Sequence, residues 1–111
     1  MKAITALACA ALLAASLAVQ ARGNAESGKA LVTPKACVTC HGADGAKPST
    51  PDQPILAGQH HDYLVRALVD YKTGARANPI MKGFASQLSA KEIEDLAAWF
   101  ASQKSPPHDQ R

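Results

Sequence analysis

Cys37-Val38-Thr39-Cys40-His41 is the stretch whose reading decides this chain. Two cysteines three residues apart, with a histidine directly after the second, give the C-x-x-C-H spacing by which a c-type haem is fixed covalently. On one helical turn the side chains of Cys37, Cys40 and His41 leave the same face. Each thiol then adds to a porphyrin vinyl group as a thioether, and the His41 imidazole reaches the iron from the proximal side. A thioredoxin-like pair uses the same C-x-x-C but sits in a βαβ setting, and no β-branched run of strand length occurs here. A structural zinc site needs four ligands. The chain has one further cysteine, Cys9, and its histidines lack zinc-finger spacing. A disulfide between helical i and i+3 positions is sterically awkward and leaves His41 unexplained.

The N-terminus indicates where this chemistry takes place. Met1-Lys2 supplies a positive start, and Ala3 to Val19 is an almost unbroken run of Ala, Leu, Ile and Val. This reads as an export signal over residues 1–21, with small residues at Val19-Gln20-Ala21 placing cleavage after Ala21, or alternatively after Ala25. The run is shorter than the roughly 20 residues of a bilayer span. Removal of the leader predicts an exported, periplasmic protein with no stable membrane insertion. Cys9, preceded by Ala6-Leu7-Ala8, goes with the leader.

Residues 22–111 then form one domain of 90 residues, near the size at which a protein core alone barely suffices. A buried cofactor would supply the missing apolar contact. The formal net charge of +3 falls to +2 once Lys2 is gone. The lysines are interleaved with acids along the chain instead of clustering on one face, which argues against nucleic acid as a partner. No spacing of Ser, His and Asp suggests a hydrolytic triad.

The rest predicts an all-α domain of three main helices and loops. The clearest helix is the last. Ser89-Ala90-Lys91-Glu92 is a capping box, Leu88 and Ile93 form its hydrophobic staple, and Ile93, Leu96, Ala97 and Phe100 make one apolar stripe that Trp99 widens. A second helix is predicted from about His60 to Lys72, with Leu64, Ala67, Leu68 and Tyr71 inward and Asp62, Arg66 and Asp70 outward as i, i+4 ion pairs. A weaker first helix covers about Ala25 to Val32, loosened by Gly28 and broken by Pro34. Lys47 to Pro54 is too proline-rich for regular structure and reads as a surface loop.

The occupant of the second axial position decides whether such an iron carries electrons or binds gas. Met81, the one methionine left after leader removal, lies in a segment read as irregular, where Asn78-Pro79 pre-sets an extended approach and Gly83 lets the backbone turn away. His60 and His61 are the alternatives, with His108 in the tail behind them. Arg76 and Gln59 are candidates to bond a propionate.

Across nearly all of residues 22–111 the chain resembles the class I c-type cytochromes, specifically the small monohaem bacterial carriers and the halves of related dihaem ones. The matching pieces are Gly28-Lys29-Ala30-Leu31, Cys37 to Gly42 with Asp44-Gly45, and Ile55-Leu56-Ala57-Gly58-Gln59. Further on come Tyr63-Leu64, Tyr71 to Arg76, Pro79-Ile80-Met81, and Leu88-Ser89 leading into Leu96-Ala97-Ala98-Trp99. The resemblance implies that the first and last helices cross beside one haem, that Met81 is the distal ligand, and that the cofactor edge near the thioethers meets redox partners. Thr33-Pro34-Lys35 departs from the pattern and puts the length of the first helix in question.

With both axial positions filled the iron has no site for substrate, so the expected function is one-electron carriage by a covalent haem c and not enzymatic catalysis. An apolar wrapper of Leu56, Leu64, Leu68, Ile80, Phe84 and Trp99 would favour the ferrous state. Two other readings remain open: a haem subunit of a periplasmic oxidoreductase complex, and a five-coordinate gas-binding cytochrome. Against the latter, gas-binding cytochromes of the bundle type carry the haem motif near the C-terminus, and here it opens the domain.

Overall fold

The computed structural model describes residues 22–107; the leader expected over residues 1–21, its cleavage sites up to Ala21, and His108 lie outside the described residues. The described residues form five helices and no strand: α1 (Ala25–Val32), α2 (Cys37–His41), α3 (His61–Thr73), α4 (Pro79–Ala85) and α5 (Ala90–Ala101). Three of these match the three expected main helices; α2 is the motif turn and α4 is an addition.

α5 starts where its sequence dictates. Ser89 Oγ accepts from the Glu92 amide at 3.1 Å, and Glu92 Oε1 accepts from the Ser89 amide at 2.9 Å. Leu88 and Ile93, the staple, are both buried, and the stripe of Ile93, Leu96, Ala97 and Phe100 joins Val32 and Leu64 in the core. Ser89→Ala removes one arm of the box and is expected to cost about 1 kcal/mol, read from the urea midpoint at constant m. The Ser89 backbone amide, with Lys35 at 3.4 Å adding its charge, holds the Glu92 carboxyl below the usual carboxylate range. A carboxyl depressed in the folded state contributes stability above its unfolded value, and that contribution disappears as pH falls through the folded value. Glu92→Gln, which keeps an acceptor that does not titrate, is therefore expected to flatten this part of the acid limb of the stability curve.

α1 ends at Val32, directly before Thr33-Pro34, so the departure from the family pattern leaves a helix of two turns. Its amide end is closed by Asn24, whose Oδ1 accepts from Ser27 N at 2.9 Å. α1 crosses α5 at Gly28. A Cβ there would stand 2.0 Å from the Asp95 carbonyl oxygen and 2.9 Å from Trp99 Cβ, so only a hydrogen allows the two backbones this close. The sequence reading counts Gly28 only as a weakness of α1; the crossing is what requires it. Gly28→Ala improves helix propensity by about 1 kcal/mol, but overpacking at backbone is expected to outweigh that and leave a net loss of about 2 kcal/mol in denaturant unfolding. Asp95, 3 % exposed, secures the crossing: Oδ1 accepts from Asn24 N at 2.8 Å and Oδ2 pairs with Lys91.

α3 is displaced by one residue from the expected range, and its predicted ion pairs do not form. Among the described residues Arg66 pairs with neither Asp62 nor Asp70; Asp62 instead lies 3.1 Å from His61 Nδ1, and His61 Nε2 lies 3.0 Å from Glu94, linking α3 to α5. The segment around Met81 also differs from expectation. Asn78 is extended (φ −160°, ψ 104°), as a residue before proline should be, yet it acts as a cap: its Oδ1 accepts from the amides of Ile80 and Met81 at 3.1 and 3.0 Å. Proline at the first helical position suits a helix start, because its missing N–H needs no partner there. Met81 therefore stands on α4, and Gly83 lies inside this helix instead of turning the chain away.

Candidate functional site

α2 is a single turn set between two unusual backbone positions. Ala36, just before Cys37, has φ 63° and ψ 14°, the one non-glycine with positive φ among the described residues; Gly42, just after His41, has φ 82° and ψ 165°. These bends isolate the motif turn from α1 and from the following loop, and Cys37, Cys40 and His41 face one side. Holding Ala36 in the left-handed region costs roughly 1 kcal/mol, which the surrounding turn offsets.

Cys37, Cys40 and His41 line a cleft together with Met81 from α4. Leu64, Ala67, Leu68 and Tyr71 of α3, Ile80 and Phe84 of α4, and Leu96 and Phe100 of α5 form most of the wall, and the cleft encloses about 1070 Å³ of empty space including its open mouth. Ile80, 70 % exposed, stands at this mouth and is less a part of the wrapper than expected. Burial pushes the Cys37 thiol up, the opposite of the activated thiol that a redox-exchange pair requires.

His41 is 6 % exposed, and its Nδ1 lies 3.0 Å from the Pro54 carbonyl oxygen. A carbonyl only accepts, so Nδ1 carries the proton and Nε2 keeps its lone pair for a metal. Sequence reasoning missed Pro54, which it placed in a proline-rich surface loop. That loop is held by the turn after the motif: Gly45 O accepts from Leu56 N at 2.9 Å and Ala57 N at 3.2 Å. A Cβ on Gly45 would meet Phe100 at 2.7 Å and Leu56 at 2.9 Å. Trp99 closes the same region by donating its indole N–H to the Ala43 carbonyl at 3.0 Å.

The other sequence candidates lie elsewhere. His60 and His61 line a separate polar cleft with Arg22 and Asp62. Arg76 packs over the ring of Tyr71, 4.9 Å from its centroid, and beside Tyr63. Gln59 accepts from the His60 amide at 2.9 Å. Neither Arg76 nor Gln59 lines the cleft. Lys35, two residues before the motif, is paired with Glu92.

The helices and the cleft that they enclose define a class I cytochrome c fold. The chain belongs to the cytochrome c family: residues 25–104 match the family described as Cytochrome c. It is 44 % identical over 84 residues to a cytochrome c4 of Pseudomonas aeruginosa, an alignment that covers 76 % of this chain and 40 % of that protein. It is 41 % identical over 71 residues to a thiosulfate dehydrogenase electron acceptor of Stutzerimonas stutzeri, covering 64 % of this chain and 33 % of the relative. The crystal structure of reduced recombinant cytochrome c4 from Pseudomonas stutzeri superposes with a TM-score of 0.69 at 38 % identity, over 76 % of this chain and 47 % of that one. The chain thus spans less than half the length of each of these relatives.

The family's cofactor, a covalent haem c, fits the cleft. Two thiols, one imidazole with a free Nε2 and one thioether line it, and its walls are predominantly apolar, as a porphyrin face requires.

Proposed function

We propose that this protein is an exported, periplasmic one-electron carrier in which Cys37 and Cys40 hold the haem by thioethers and His41 and Met81 are its axial ligands. The observation that carries this reading is the convergence of all four side chains on one apolar cleft. When bound, the haem supplies a single Fe(II)/Fe(III) exchange. The chain's residues keep that exchange simple. Pro54 fixes the His41 ring and its tautomer, so the imidazole need not reorient between oxidation states. Asn78 caps α4 and fixes the backbone that presents the Met81 thioether. Leu64, Leu68, Leu96 and Phe100 exclude water, so little solvent reorganises on transfer. With both axial positions filled no site remains for substrate.

The test is exposure of the dithionite-reduced protein to carbon monoxide without denaturant. An unchanged visible spectrum is expected; rapid formation of a carbon monoxide adduct selects the five-coordinate gas binder instead. A second reading, a haem subunit serving a periplasmic oxidoreductase, is favoured by the resemblance to a thiosulfate dehydrogenase electron acceptor. Stable co-purification with a catalytic subunit distinguishes it from a free shuttle, whose docking is brief and uses a small surface.

A further inference from the structure

We infer that Asp52 tunes the driving force of electron transfer: it places a fixed negative charge at the lining of the cleft, favouring the oxidised state and lowering the midpoint potential. This rests on the cleft being the haem site. Of the residues that line the cleft, Asp52 is the one with a carboxylate, and no lysine or arginine lines it. The remaining polar lining is Gln53, Asn78, Tyr71 and the four groups assigned to the cofactor.

Asp52 is anchored. The Thr50 hydroxyl donates to Asp52 Oδ1, and the turn that carries both is closed by Gln53 N donating to Thr50 O and Thr50 N donating to Gln53 Oε1, each at 3.2 Å. Two residues on, the Pro54 carbonyl accepts from His41. The segment that bears the charge therefore also holds the proximal imidazole, and the two keep a set relation. The Thr50 hydroxyl, and after it the Asp52 backbone amide, hold this carboxyl below its ordinary range, so the charge persists into mildly acidic solution. Lys35, the cation two residues before the motif, is paired with Glu92.

Oxidation adds one positive charge to the cofactor, and a nearby carboxylate stabilises that state by simple Coulomb attraction. Asp52 is exposed, so solvent and salt weaken the attraction without abolishing it at low ionic strength, where the screening length reaches about 30 Å; at about 1 M salt it is near 3 Å. This salt dependence separates a field effect from a structural one.

Redox titration of the holoprotein tests the inference. At low ionic strength Asp52→Asn is expected to raise the midpoint potential, Asp52→Glu to restore the wild-type value, and about 1 M salt to close the gap. Coupling is reciprocal, so the Asp52 carboxyl, followed by carbon NMR in wild type, should titrate at lower pH in the oxidised than in the reduced protein. Coincident wild-type and Asp52→Asn potentials at low salt, or a gap that salt leaves untouched, overturn the inference while leaving the haem assignment standing. Purified protein without covalent haem overturns the assignment itself.

Discussion

Replacing Cys37 and Cys40 together by alanine is expected to abolish covalent cofactor retention and, with it, most of the folded state. The protein core explains why the effect should be so large. Its buried members are few: Val32, Leu64, Leu88, Ile93, Leu96, Ala97 and Phe100, with Leu96 the large side chain below 2 % exposure. Leu64, Leu96 and Phe100 also line the cleft, so the same residues serve the protein core on one side and the cofactor on the other. Without the haem that second side faces water, and each large apolar side chain forfeits a substantial part of the roughly 1.5–3 kcal/mol that full burial contributes. A domain of this size has a total stability of only about 5–10 kcal/mol, so losing several such contributions removes most of it. Far-ultraviolet circular dichroism of the double variant should show helix content well below wild type, and acid-acetone extraction should leave colourless protein. A cooperative thermal transition at the wild-type temperature in colourless protein would show that the cofactor is dispensable for folding.

Met81→Ala should have the second large effect, on the iron and not on the fold. The side chain is half-buried on α4, which packs against α3, and α4 keeps its cap at Asn78 in the variant. The sulfur-to-iron charge-transfer band in the near-red should vanish, and reduced protein should now bind carbon monoxide. A soft thioether favours the ferrous state, so its loss should lower the midpoint potential on the order of a tenth of a volt, within the ~0.8 V that axial ligands span. Absence of the band from the wild-type protein returns His60 and His61 to consideration, even though both line a different cleft.

How far these expectations were readable from the chain depends on the range of the interactions behind them. α5 is local in origin: capping box, staple and stripe lie within Leu88 to Phe100, and the structure reproduces them. The motif turn is equally local. Gly28 shows the limit, since nothing nearby in sequence reveals that Asp95 and Trp99 press on it from α5. Pro54 is a similar case. Its role depends on a bond to a ring thirteen residues earlier, and proline-rich composition speaks only of local backbone. α4 could have been found: asparagine followed by proline is a start signal as much as an extended dipeptide, and the reading weighed only the second. Arg76 is a candidate by its charge, and its stacking on the Tyr71 ring is a contact that charge does not announce. The ion pairs expected along α3 failed because spacing permits them without requiring them, and exposed pairs contribute little.

The covalent haem is the claim on which the rest depends, and intact-mass spectrometry of the purified protein after acid-acetone treatment tests it most directly. The account predicts the polypeptide mass plus one haem, with colour remaining in the protein fraction. A mass equal to the bare polypeptide, with the colour in the acetone phase, would contradict it.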